Sequence, residues 1–174
     1  MPQRAVPMTE AEALALIKRK LPPVWADVWT GRAAPRPFRL SSWAKPHTYF
    51  LDPAQLVSDS PGLTGLCPLI ERNGEAILGW LPDGRFVQFY YEDGRHGDVA
   101  ITLLGRNYQE FVLSLLLEFE DCGMRDTLVD LAATLRFAYT AALTDVLDRE
   151  VAGDEALAAL RDRIGAEQEG ESQT

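Results

Sequence analysis

The sequence predicts an α+β fold, in which strands that are neighbours in the chain form a β-sheet and helices follow them. Two segments, 75–81 and 85–91, are rich in β-branched and aromatic residues, as expected of adjacent strands. The Pro-Asp-Gly sequence at 82–84 predicts a tight turn between them, because proline fixes φ and glycine accepts a left-handed backbone. The two strands form a hairpin in the segment 67–120, around which the rest of the chain is arranged.

A third strand is predicted at 98–104, after the polar, glycine-rich loop 92–97. Val99, Ile101 and Leu103 alternate there with smaller or polar residues, so the three are expected to point to the same side of the sheet. This alternation predicts a sheet with one covered face and one partly wet face.

A helix is predicted directly after this strand. Asn107 is a favourable N-cap residue, and Glu110 follows it at the position that completes a capping box. Apolar residues then recur at helical spacing, namely Tyr108, Phe111, Val112, Leu115, Leu116 and Phe119. The resulting apolar stripe is broad enough to lie across the sheet.

The N-terminal part of the chain is predicted to begin with a helix. Thr9 and Glu12 form a capping-box pattern, and the proline pair at 22–23 ends the helix. A second short helical turn is predicted at 24–30, where two tryptophans lie one turn apart. We expect these tryptophans to cover the core rather than to bind a ligand.

The segment between these helices and the hairpin is predicted to be largely irregular. Residues 31–46 are rich in proline and arginine and form a connector. A short strand is predicted at 48–51 and a one-turn helix at 52–57. Residues 66–70 then re-enter the sheet, and the Arg-Asn-Gly sequence at 72–74 turns into the hairpin.

The C-terminal third of the chain is predicted to be helical. One long amphipathic helix over 125–149 is indicated by an apolar stripe of Leu128, Leu131, Leu135, Tyr139, Ala142 and Val146. A shorter helix is predicted at 154–164, with Asp154 as its cap. The two ends of the chain, 1–8 and 165–174, are expected to be disordered.

Composition indicates a globular chain. With 174 residues and 47% hydrophobic residues, it can bury one substantial core, so we expect one domain with an appendage. No run approaches the about 20 apolar residues of a membrane-spanning helix, and the first residues lack a secretory pattern. We therefore expect a cytoplasmic protein without membrane binding. Cys67 and Cys122 are predicted to be two buried thiols rather than a disulfide.

Negative charge is concentrated in the C-terminal part of the sequence. Residues 1–109 contain 12 Lys or Arg and 11 Asp or Glu, whereas residues 110–174 contain 5 and 15. A negative surface repels phosphate backbones, which argues against nucleic-acid binding, and it steers a basic protein partner. The alternative is a solvated helical face that the charge keeps soluble.

The sequence contains no recognisable catalytic, metal or cofactor motif. His47 and His96 lie in predicted loops without metal-ligand spacing, and no nucleophile elbow or phosphate-binding glycine loop occurs. We therefore predict no enzyme activity, no cofactor and no metal. An enzyme of unknown class stays open as an alternative, and its candidate pocket residues are Tyr90, Glu92, His96 and Asp98.

Three segments resemble the SMI1/KNR4 (SUKH) superfamily. They are LDPAQL at 51–56, CPLIERNGEAILGWLPDGRFVQFYYEDG at 67–94 and NYQEFVLSLLLE at 107–118. The resemblance implies an α+β domain over 9–122, with a curved antiparallel or mixed sheet and helices packed on one side. Residues 123–164 lie outside it and form a C-terminal helical extension.

The resemblance also implies a role in protein binding. Many bacterial members of the superfamily are immunity proteins that neutralise a toxin, whereas fungal relatives are regulatory scaffolds in cell-wall synthesis. We therefore expect an immunity protein for a cognate, basic toxin such as a nuclease, or alternatively a scaffold that self-associates through helix 125–149. The candidate partner-binding residues are Tyr90, Glu92, Asp93, Asp98, Glu118, Glu120 and Asp121.

Overall fold

The computed structural model describes residues 7–32, 35, 38, 43–51, 61–90, 100–148 and 153–171. It contains two compact units, Met1–Leu104 and Gly105–Thr174. The α+β class is confirmed, since a five-stranded antiparallel open sheet is combined with helices. The helix predicted after the sheet belongs to the second unit, whereas the sequence placed it in a first domain ending at 122.

The described residues of the first unit form the sheet and several helices. The helices are α1 (Glu10–Lys20), α2 (Pro23–Thr30) and α3 (His47–Leu51), and a 3-10 turn lies at Pro61–Leu63. The strands are β1 (Trp43–Ala44), β2 (Cys67–Arg72), β3 (Ala76–Trp80), β4 (Phe86–Tyr90) and β5 (Thr102–Gly105). The strand order β1-β2-β3-β4-β5 follows the chain, and the first four strands pair antiparallel with their neighbours.

The predicted hairpin of β3 and β4 is confirmed. Gly84 has φ 93°, and the Arg85 N–H donates to the Asp83 carboxylate over 3.1 Å. The turn before β3 is also confirmed, because Asn73 and Gly74 both have positive φ, 54° and 70°. Two successive left-handed residues give the twist that a tight hairpin between right-twisted strands requires.

The predicted helix starts are confirmed by their caps. Thr9 and Glu12 form a reciprocal capping box at α1. The residues after α1 do not form a single turn but the eight-residue helix α2, which ends at Gly31 with φ 68°. Trp25 and Trp29 of α2 are 0% and 6% exposed, so they belong to the core as expected.

The three central strands are buried on both faces. Ile77 and Leu78 are adjacent in β3 and therefore point to opposite faces, yet both are 0% exposed. One face carries a cluster of buried residues, which is formed by Tyr49, Leu63, Leu66, Ile77, Leu81, Val87 and Phe89. The prediction of a sheet with one partly wet face is therefore wrong for these strands.

Two predictions about short strands are also corrected. The third predicted strand is only β5, and Ile101 and Leu103, expected on its covered side, are 38% and 50% exposed. The segment 48–51, predicted to be a strand, belongs to the helix α3. The Thr48 N–H at the N-terminus of this helix donates to the carboxylate of Glu71 in β2. The helix predicted at 52–57 lies outside the described residues.

The second unit is helical. Its helices are α4 (Tyr108–Asp121), α5 (Leu128–Thr134), α6 (Thr140–Leu147) and α7 (Gly153–Glu171), with a 3-10 turn at Arg125–Thr127. Asn107 caps α4 by accepting from the Glu110 N–H over 3.0 Å, as predicted. No helix in the described part of the chain is both long enough and apolar enough to cross a membrane.

The prediction of a single long helix at 125–149 is wrong. Arg136 has φ 54°, and its N–H and that of Phe137 donate to the carbonyls of Ala133 and Ala132, which ends α5 in a Schellman motif. Glycine usually occupies this left-handed position, so an arginine there gives no sequence signal. At the other end, α7 continues to Glu171, so residues 165–171 are helical rather than disordered.

Candidate protein-binding surfaces

A row of side chains crosses the first four strands near one end of the sheet. Trp43 pairs with Arg72, Arg72 with Ala76, and Ala76 with Tyr90. Residues that pair directly across strands lie on the same face, and Gln88, two positions before Tyr90, lies on that face too. Five residues from four strands are thus brought together by register alone.

The polar members of this row are linked to one another. Arg72 Nη2 donates to Gln88 Oε1 over 3.2 Å, and Gln88 Nε2 donates to the Tyr90 hydroxyl over 3.2 Å. The Arg72 guanidinium carbon also lies 5.4 Å from the Trp43 ring centroid, a cation–π distance. Gln88 is 8% exposed, so its nearly buried side-chain amide connects Arg72 of β2 with Tyr90 of β4.

The outcome is an exposed tyrosine in a fixed position. Tyr90 is 46% exposed while its hydroxyl is held by Gln88. A side chain that is ordered before binding loses less conformational entropy on binding, and tyrosine is enriched among the residues that dominate interface energies. Of the sequence-predicted site residues, Tyr90 is thus placed where it can contact a partner.

Large exposed apolar side chains of the first unit lie mostly toward one end of the sheet order. Among the described residues of this unit they are Leu51, Tyr90, Ile101 and Leu103. Tyr90 belongs to β4, Leu103 to β5, and Ile101 immediately precedes β5. The first unit also has an open groove of about 680 Å³ along α1, lined by Met8, Leu16 and Arg19 among others.

The predicted acidic residues lie at the C-terminal end of α4. Glu118, Glu120 and Asp121 occupy its last turn, which contains no basic residue. Carboxylates are unfavourable there, because the carbonyl end of a helix has partial negative charge. Arg125 offsets part of this charge, with contacts of 3.6 Å to Glu120 and 2.8 Å to Asp148.

Net charge divides sharply between the two units. Met1–Leu104 contains 11 Lys or Arg and 11 Asp or Glu, whereas Gly105–Thr174 contains 6 and 15, a net charge of −9. Exposed carboxylates of the second unit that form no ion pair within the described residues are Asp121, Asp126, Asp130, Asp154, Glu155 and Asp162.

Two carboxylates that were not predicted as site residues are buried and have structural roles; that of Glu110, predicted to complete a capping box with Asn107, accepts from Arg106. Glu110 is 3% exposed and accepts from the backbone N–H and Nε of Arg106, both at 2.8 Å. Gly165 of α7 lies so close to Arg106 that a Cβ added to it would clash with Nη2. Glu71, 8% exposed, accepts from the backbone N–H and the hydroxyl of Thr48, both at 2.7 Å.

The described thiols do not form a nucleophilic site. Cys67 is buried, and burial raises the pKa of its thiol to about 12, so the thiol is protonated at neutral pH. Cys122 is exposed, which corrects the prediction that both thiols are buried; both are free. Within the described ranges, no group of three His, Cys, Asp or Glu side chains is arranged to hold a metal ion.

Several predicted site residues lie outside the described part of the chain. They are Glu92, Asp93, His96 and Asp98. The structure thus places Tyr90 in the first unit, and Glu118, Glu120 and Asp121 together at one helix end in the second. Sequence reasoning missed Trp43, Arg72 and Gln88, whose connection depends on strand register and has no local motif.

Comparison of the chain with protein-family models, curated proteins and solved structures finds no match. The similarity to the SMI1/KNR4 superfamily therefore stays a prediction based on the three quoted segments. The function is therefore inferred from the row of side chains that ends at Tyr90 and from the acidic C-terminal end of α4.

Proposed function

We propose that this chain is a protein-binding module that binds and neutralises a cationic protein, as an immunity protein does in the cytoplasm of a toxin-producing cell. The observation that carries the proposal is the concentration of the whole net charge of −9 in the second unit, beside a first unit with no net charge. The SMI1/KNR4 resemblance supplies the expectation of an immunity role.

Electrostatics supports a basic partner. The last turn of α4 has three carboxylates at the helix end that disfavours them, and Asp121 has no ion pair among the described residues. Positive side chains of a partner would relieve this repulsion and the unfavourable interaction with the helix dipole. Nucleic acid and anionic membrane surfaces would instead be repelled.

The Trp43–Arg72–Gln88–Tyr90 row supports a binding role from the first unit. Charge steers association, but affinity depends mainly on a few buried aromatic or arginine anchors. Tyr90, exposed and held by Gln88, has the properties of such an anchor.

The test is co-expression with each cationic protein encoded beside this chain's gene. We expect one of them to arrest growth when expressed alone and to be neutralised in a complex with this chain. Association should slow as salt is raised from 0.05 to 0.5 M, since screening shortens the range of attraction. The triple variant Glu118→Lys, Glu120→Lys, Asp121→Lys should associate roughly tenfold more slowly.

A matched pair of single variants tests whether the association rate depends on charge at the end of α4 or only on the total charge of the protein. Asp121→Lys and Glu75→Lys change the net charge equally and both replace exposed residues, but they lie in different units. Only Asp121→Lys should slow association appreciably. Equal rates for the triple variant and the native protein, or no neutralised partner at all, would contradict the proposal.

The alternative of a scaffold that self-associates through helix 125–149 loses its premise. That helix is interrupted after α5, and the stripe residues Leu128, Leu131, Leu135 and Val146 are each at most 8% exposed. Most of the apolar stripe expected to hold a second copy is therefore already buried within the chain, and Tyr139 and Ala142 are half-buried.

A further inference from the structure

We propose that the outer edge of β5 binds an extended segment of the cationic partner as an additional strand of the sheet. This inference rests on the proposed function, because the same cationic partner is taken to provide the strand. It assigns the mode of recognition, which is backbone hydrogen bonding along a sheet edge combined with alternating side-chain contacts.

The two edges of the sheet differ in their protection. β1 is only two residues long and is followed at once by Lys45 and Pro46. A short strand, a lysine and a proline are the usual means of preventing a sheet edge from pairing with another chain. This edge is therefore closed to a further strand.

β5 is twice as long as β1 and has no proline within it or directly after it, although Arg106 follows its last residue. It stands at the other end of the strand order, and the segment 101–105, Ile-Thr-Leu-Leu-Gly, contains neither a charge nor a proline. Ile101, Thr102 and Leu103 are all exposed, the first and third by 38% and 50%. The only strand neighbour of β5 within the described residues is β4.

Charge decides which kind of strand fits this edge. A second copy of the chain would bring another net charge of −9, so self-pairing is opposed by repulsion. A segment that alternates apolar residues with Lys or Arg would cover Ile101 and Leu103 and be attracted by the whole molecule. In an antiparallel pair, alternate residues exchange both backbone bonds, so β5 offers roughly two such residues.

The probe for the experiment is the capped peptide Lys-Val-Lys-Val-Lys-Val, added to the full-length chain. Binding should shift the amide resonances of β5 and slow the hydrogen exchange of those alternate amides of β5 that face its outer edge. The same peptide with every backbone amide N-methylated keeps its charge but loses the N–H donors of both edges, and should not protect them. A Glu-Val-Glu-Val-Glu-Val peptide should not bind.

Two matched variants test the location. Leu103→Lys places a like charge opposite the peptide and should weaken binding about tenfold. Leu51→Lys changes the net charge equally at a site that is 72% exposed in the same unit, and should weaken it less than about twofold.

The outcomes separate this inference from the proposed function. Equal binding of the N-methylated and unmodified peptides, equal effects of the two lysine variants, or no protection of β5 amides would overturn the strand-addition inference. If a neutralised cationic protein is then found to bind Leu103→Lys as well as the native chain, the proposed function stands without it. Protection of β5 by the peptide without any natural cationic partner would refute the proposed function and, with it, the assignment of the strand to that partner, while the edge would still be shown to accept a cationic strand. A concentration-dependent dimer that Leu103→Lys abolishes would identify a second copy as the occupant and overturn the inference.

Discussion

Removal of one oxygen atom, in Tyr49→Phe, is expected to stabilise the first unit. Tyr49 is 0% exposed and packs in the cluster with Leu63, Leu66 and Phe89. Its hydroxyl has no hydrogen-bond partner within the described part of the structure. Burial also raises the pKa of Tyr49 to about 12, with a smaller contribution from Cys67, so the group is neutral at pH 7.

The expected gain follows from the cost of burying this hydroxyl. A buried polar group without a partner costs about 1–3 kcal/mol of desolvation. Phenylalanine keeps the ring and its contacts but leaves a small space where the oxygen was, which offsets part of the gain. We therefore expect the free energy of unfolding to rise by about 1–2 kcal/mol, which is unusual for a substitution in a core.

Urea unfolding at pH 7 measures this change, with tryptophan fluorescence as the signal. All four tryptophans lie in the first unit, so the signal reports that unit. For a slope of about 2 kcal/mol per molar urea, in the middle of the typical range, the midpoint should rise by about 0.5–1 M.

A tyrosine with a bonded hydroxyl provides the control. The Tyr108 hydroxyl donates to the Leu135 carbonyl over 2.7 Å, so Tyr108→Phe should lower the unfolding free energy by about 1 kcal/mol, followed by far-ultraviolet circular dichroism. The two substitutions should thus have opposite signs. A loss of 1 kcal/mol or more in Tyr49→Phe would refute the reasoning.

Two further predictions concern buried groups of the first unit. The pKa of Cys67 is raised by burial from 9.0 to about 12, so its contribution to stability is complete below about pH 9 and is lost as the pH rises through about 12. The free energy of unfolding should therefore fall by up to about 1.4 kcal/mol per pH unit in that window, and Cys67→Ala should flatten the curve; an unchanged slope in the variant would contradict this origin. Glu71→Ala leaves the Thr48 N–H and hydroxyl, each 2.7 Å from the carboxylate, without their acceptor, and should cost about 2–3 kcal/mol in urea unfolding. Glu71→Gln keeps one acceptor oxygen and should cost less, so equal losses would show that packing, not hydrogen bonding, is the cause.

Elements whose signals are local could be predicted from the sequence. The capping box of Thr9 and Glu12, the cap at Asn107 and the turn at 82–84 each depend on residues within a few positions of one another. Only part of the candidate site could be predicted from such local signals. Tyr90 could be proposed because it ends a recognisable strand, whereas its connection to Arg72 and Trp43 could not.

Elements determined by distant residues could not be predicted. Residues 48–51 have strand-like composition, yet Glu71, 23 positions away, binds the N-terminus of the helix that they form. The helix pattern over 125–149 is continuous in sequence, yet residues 135–139, among them the left-handed Arg136, interrupt the helix. Exposure of Ile101 and Leu103 depends on β5 being at the edge of the sheet, which alternation cannot reveal.

By itself, the sequence determined the α+β class, the hairpin, the main helix starts and the acidic C-terminal part of this protein. These properties depend on composition and on backbone preferences of adjacent residues, which act before any long-range contact forms. Tertiary structure alone decided which sheet edge is open, which carboxylates are buried and how Tyr90 is held. Those outcomes depend on strand register and on burial, which bring together side chains that have no relation in sequence.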